Sequence, residues 1–174
     1  ILNFSTSDVT RWLGQMDQVY ETLQEFTGYT PYNGKPIHLI SSREDFSANQ
    51  PDGENYWRLT MGWSGNPVKI SQPFYQSHMR RLANSRWDWG DTPIHELSHD
   101  FDNDKWVFDH ETLAFLKLAY VLEKRNAEVY RIDTMKYYKG SAYADFLKTD
   151  WFEGYYESFA KGMYMPAGLA SILL

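Results

Sequence analysis

From Trp12 onward, apolar side chains fall at Trp12, Leu13, Met16, Val19, Tyr20, Leu23 and Phe26, the three-and-four spacing of one helix face. Gly28 then stops that helix. Between Lys35 and Gln72 the pattern shortens to β-prone runs over 37–40, 56–63 and 68–71, separated by Asn-Gly, Pro-Asp-Gly and Ser-Gly-Asn-Pro turn signals. This predicts a small sheet. After Pro73 the spacing turns helical again, over 74–83, 93–103 and 110–124, with two shorter segments after Ser141 and Phe152. Helix, then sheet, then helices is an α+β order. Without repeats or a linker, it predicts a single domain over residues 1–174.

Composition supports a packed core. The chain is 43% apolar and 23% charged, and 17% aromatic, which excludes a disordered chain. Its formal charge of -6 with no local Lys/Arg cluster disfavours nucleic acid as a partner. No apolar run reaches the roughly 18 residues that cross a bilayer, so membrane insertion is not expected. There is no cysteine, so disulfide and thiolate chemistry are excluded and redox usage says nothing of the compartment. The chain starts at Ile1, and a domain processed or excised from a longer protein is expected.

The sharpest chemical signal is His95-Glu96-Leu97-Ser98-His99. Residues four apart on a helix stack on one face, so two imidazoles approach a single metal with Glu96 beside them. A helix is expected here with Thr92 as N-cap and Pro93 at its first position, where a missing N–H costs nothing. Ile94, Leu97 and Phe101 then share a packing face, and His95, His99 and Asp102 line the open side. Zinc (Zn2+) suits such a site, because it takes neutral imidazole nitrogens tetrahedrally and keeps one position for water. Glu96 would take the proton of that water as it attacks an amide carbonyl and pass it to the leaving amine.

A third protein ligand is required. The pattern with Gly three and His six residues after the second His is excluded, because Asp102 and Lys105 stand there. A carboxylate from the next helix remains. Glu111 is the best placed, in the first turn of a helix with Asp109 as N-cap and a Phe108–Leu113 staple, and Glu123 on the same helix is the fallback. Asp102 is a candidate to orient His99 from behind. His110 is a candidate oxyanion donor, as are Tyr137, Tyr138 and Tyr143. His38 and His78 have no partners in sequence and are read as structural.

The run Arg86-Trp87-Asp88-Trp89-Gly90, the motif His95-Glu96-Leu97-Ser98-His99-Asp100-Phe101, then Trp106 and Glu111-Thr112-Leu113-Ala114-Phe115 resembles the enhancin-like, mucin-targeting zinc metallopeptidases of the gluzincin group. A weaker likeness extends to the helix from Trp12 to Phe26 and the Thr27-Gly28 that follows. The chain departs from the family in having Ser98 where Gly is common, and an acidic run where a polar amide is frequent. The resemblance implies a zincin-like fold, one zinc held by His95, His99 and Glu111, Glu96 as catalytic base, secretion, and a protein or glycoprotein substrate. Trp89 and Trp106, flanking the motif, are candidate rings for a glycosylated peptide, since sugar C–H faces pack on aromatic faces.

Other readings compete. Asp100, Asp102, Asp104, Trp106 and Glu111 match positions 1, 3, 5, 7 and 12 of a calcium loop, but Lys105 stands where that loop needs Gly. A non-catalytic carbohydrate- or protein-binding module would use Trp57, Trp63, Trp87 and Trp89. A glycoside hydrolase would need a carboxylate pair about 5–10 Å apart, which the sequence does not single out.

Overall fold

A computed structural model describes residues 5–42, 62–84, 88–103, 109–131 and 134–151. Its first helix, α1, spans Thr6–Thr27. The Ser5 hydroxyl accepts the Asp8 N–H, and Gly28 at φ 63 closes its own N–H on the Gln24 carbonyl, so both ends are capped. Trp12, Met16, Val19 and Leu23 are buried as the spacing predicts. Leu13 is not, at 47% exposed, because it stands roughly 90° round the helix from the middle of that stripe.

A short 3-10 turn, Pro31–Gly34, leads into a three-stranded sheet. Strand β1 (Leu39–Ser42) runs parallel to β3 (Val68–Ser71), and β2 (Gly62–Trp63) lies antiparallel on the other side of β3. β1 starts two residues later than the sequence predicts. His38 is held just before it, its N–H donating to Asn66 Oδ1 and its carbonyl accepting from Val68. Of the expected strand over 56–63, Gly62 and Trp63 lie within the described residues, and β2 is the edge strand among them. Helix α2 (Gln72–Asn84) follows β3 directly.

Helices α3 (Asp91–His99) and α4 (His110–Arg125) come next, and α3 packs more extensively against α4 than against any other element. Asp109 caps α4 by accepting the Thr112 N–H at 2.7 Å, as predicted, and Asn126 at φ 49 ends it. An antiparallel hairpin, β4 (Glu128–Arg131) with β5 (Lys136–Lys139), was not foreseen from the sequence. Helix α5 (Ala142–Phe146) and a π-helical turn (Leu147–Trp151) complete the described chain after Ser141. The segment expected after Phe152, together with Phe108, Trp57 and Trp87, lies outside the described residues.

The architecture is mixed α+β. One cluster joins Trp12, Met16, Val19 and Leu23 of α1 to Ile94, Leu97 and Phe101 around α3, to Leu118, Val121 and Leu122 of α4, and to Val129, Tyr143 and Phe146. Each such side chain removed from water contributes roughly 1.5–3 kcal/mol before entropy is counted. No helix among the described residues is long and apolar enough to cross a membrane.

Candidate functional site

Helix α3 begins at Asp91, two residues earlier than the sequence predicts, and its N-cap is Gly90 rather than Thr92. The cause is the fully buried Asp88. Its Oδ1 accepts from Gly90 N at 2.9 Å and Tyr130 N at 3.3 Å, and its Oδ2 accepts from Arg81 Nε at 2.7 Å. Gly90 at φ 93 turns the chain into the helix at once. Pro93 still falls in the first turn, where a missing N–H leaves no bond unmade. From the other side, Trp12 Nε1 donates to the Trp89 carbonyl at 3.0 Å, which ties the start of α3 to α1.

Ile94 and Leu97 are buried, and Ser98 returns its hydroxyl to the Ile94 carbonyl at 2.7 Å. The helix stops at His99 rather than at Asn103. The next three N–H groups, of Asp100, Phe101 and Asp102, reach back only three residues, to Leu97, Ser98 and His99, so the chain tightens into a 3-10-like turn.

The other face of α3 presents His95, Glu96 and His99. His95 Nε2 lies 3.2 Å from Glu111 Oε2, His99 Nε2 lies 3.5 Å from Glu111 Oε1, and the two Nε2 atoms are 3.3 Å apart. Donors about 2.0–2.1 Å from a tetrahedral zinc are separated by about 3.3–3.4 Å. The three edges therefore suit one small cation, and His95, His99 and Glu111 are the group among the described residues whose donor atoms converge in this way. Glu123, the alternative third ligand, is exposed near the far end of α4, roughly 18 Å along the axis from Glu111 at 1.5 Å per residue. It is not brought to the histidines.

Glu96 lies under β2, and a methyl group added at Gly62 would come within 2.6 Å of its Cγ. Burial pushes the Glu96 carboxyl up, outweighing the pull of His95 and His99. Glu111 is held well below the usual carboxylate range by its hydrogen bonds to His95 and His99. For His99, burial acts downward, but Asp102 and Glu111 outweigh it and push the ring up to about 9.

Asp102 stands behind His99, its Oδ2 3.9 Å from His99 Nδ1 and 2.7 Å from His110 Nδ1. Burial would raise its carboxyl, but His99, Lys117 and His110 hold it at about 2. His110 is thus engaged with Asp102 through one ring nitrogen while its side chain is 77% exposed. His95 packs its ring on Phe115 at 4.7 Å between centroids, and its Nδ1 is buried with no partner among the described residues.

Among the described residues of the acidic run, Asp100 and Asp102 turn to different partners. Asp100 Oδ1 accepts from Tyr32 Oη at 2.9 Å and from Gly65 N at 2.8 Å, whereas Asp102 turns to Lys117 and the histidines. Burial lifts Asp100 to about 6 despite those two donors. Asp104 and Trp106 lie outside the described residues. Trp89 is half-buried against the core cluster, and Tyr143 is fully buried with its hydroxyl on Arg131 at 2.7 Å. Tyr138 packs on Tyr143 and Phe146, and Tyr137 on Tyr130. His78 does have a partner in space: its Nδ1 lies 3.7 Å from Asp88 Oδ2, and its ring lies beside Trp12.

Sequence reasoning misses two residues at the site. Gly62 gave no distinguishing signal within its short run. Lys117 did give one, as a lone cation inside the apolar stretch 113–122. No protein-family model matches the chain, and no curated protein or solved structure matches it either.

Proposed function

We propose that this chain is a zinc-dependent endopeptidase of zincin-like architecture, hydrolysing peptide bonds of proteins, glycoproteins among them, outside the cell. The observation that carries the reading is the convergence of His95 Nε2, His99 Nε2 and the Glu111 carboxylate at 3.2 to 3.5 Å from one another, drawn from two helices. The half-buried Glu96 carboxyl beside them supports it further.

What the metal supplies when bound is a water that ionises near neutral pH and polarisation of the substrate carbonyl. Everything else falls to the chain. His95 and His99 bind through Nε2, and Glu111 adds an anionic oxygen that offsets charge. Glu96 takes a proton on a carboxylate oxygen and releases it to the leaving amine nitrogen. Its raised affinity for protons suits a group that must both accept and donate near neutrality. β2 lies on the edge of its sheet among the described residues and against Glu96 through Gly62, and an extended peptide would add there as a further strand.

The test joins metal analysis of the purified protein to hydrolysis of a glycoprotein and of its bare peptide. Glu96→Gln is expected to keep its zinc and lose about 10²–10⁴-fold in rate. Undiminished hydrolysis in that variant sinks the assignment. A second reading, a carbohydrate- or protein-binding module, is favoured by Trp63, 52% exposed on β2. It predicts no bound zinc and ligand binding indifferent to chelators.

A further inference from the structure

Lys117 sits on α4 among apolar neighbours and is 1% exposed. A buried ammonium is costly unless it is paired and hydrogen-bonded. Its Nζ has two partners. It donates to the Ser98 carbonyl at 2.6 Å, near the negative end of α3, and to Asp102 Oδ1. The other oxygen of that carboxylate faces His99 Nδ1 and His110 Nδ1.

We infer that Lys117 is a positioning residue for the metal centre, fixing Asp102 and the last turn of α3 so that the His99 ring presents Nε2 to His95 and Glu111. The inference rests on the zinc reading above. Helix α4 then contributes twice, by giving one ligand directly through Glu111 and by aiming another through Lys117 and Asp102.

A purely structural Lys117 would behave differently. Replacing a whole buried ion pair by packed apolar side chains often costs little, but removing Lys117 alone leaves the Asp102 carboxylate without its cation and lowers stability whichever role Lys117 has. Support of this kind behind a metal-bound histidine typically carries 10–100-fold in metal affinity. Zinc affinity and ligand geometry in the folded variant therefore separate the two roles.

The experiment compares wild type, Lys117→Met, Asp102→Asn and the double variant as full chains. Folding is followed by circular dichroism, zinc affinity by competition with a chromophoric chelator, and ligand geometry by the visible spectrum of the Co2+-loaded protein. Lys117→Met is expected to fold with reduced stability, to bind zinc roughly 10–100-fold more weakly and to shift the Co2+ bands. The double variant is expected to bind no more weakly than the worse single one, because both changes act through one carboxylate. A folded Lys117→Met with wild-type zinc affinity and an unchanged spectrum overturns the inference and leaves the zinc reading standing. If Lys117→Met does not fold, Asp102→Asn decides, with the same weakening in support and wild-type affinity against. Wild-type protein that binds no zinc overturns both.

Discussion

Gly62 passes Glu96 so closely that a methyl group there would lie 2.6 Å from Cγ, 2.9 Å from Cδ and 3.0 Å from Oε1. β2 and the acid therefore meet at a separation that only glycine permits. Gly62→Ala must displace the Glu96 side chain while leaving the three metal donors untouched. The expected result is zinc content equal to wild type with kcat on a protein substrate lowered about 10–100-fold, the scale of a misplacement near 1 Å. Steady-state kinetics alongside metal analysis checks it, and an unchanged kcat would mean that Glu96 does not work from this position.

Glu111→Ala removes one of the three converging groups. Zinc affinity should fall by more than the roughly 10–100-fold that a supporting residue carries. Titration against a competing chelator measures this, and retention of wild-type affinity would hand the third position to another carboxylate.

Asp88 contributes to the acid stability of the domain. Burial raises its carboxyl, but His78 and Arg81 outweigh burial and hold it below its ordinary value. A group depressed in the folded state gives stability that is present above the unfolded value, about 4, and is lost as pH falls through the folded one. Denaturant melts between pH 7 and pH 2 should show that loss beginning below about pH 4. Asp88→Asn should be destabilised at pH 7 by about 3–5 kcal/mol, as when one member of a buried pair is removed, and should show a shallower acid dependence. An identical acid slope in the variant would move the effect elsewhere.

Gly90→Ala adds a methyl group 2.7 Å from the His78 ring at a backbone φ of 93. Strain and overpacking together should cost of order 3 kcal/mol. Thermal melts read this directly, and a loss below about 0.5 kcal/mol would show that His78 shifts freely.

The helices were legible because their signals are local. Gly28 and Asp109 cap where the chain chemistry says they should, and Trp12, Met16, Val19 and Leu23 bury the expected stripe, although α1 starts at Thr6 behind a Ser5 cap, six residues before the apolar spacing begins. The spacing of His95 and His99 was equally plain, since four residues on a helix fix both direction and distance. What escaped notice depends on distant partners. The start of α3 is set by Asp88 gathering Gly90, Arg81 and Tyr130, and no local pattern announces a carboxylate with donors from three segments. The β4–β5 hairpin went unread because its turn carries Met135 at φ 54 instead of the glycine or asparagine that marks such turns. Lys117 was visible as an oddity on a buried face, but its meaning needed the Ser98 carbonyl and Asp102 beside it.

The bond from Trp12 Nε1 to the Trp89 carbonyl joins residues 77 apart in sequence. Its consequence is that the chemistry of residues 88–131 is not portable. Transplanted into another scaffold, that stretch would bring both histidines and all three carboxylates of the site, yet it would leave behind the indole that seats the first turn of α3 and the α1 stripe on which Ile94 and Leu97 rest. A designer borrowing the motif must borrow a complement to Trp12 with it.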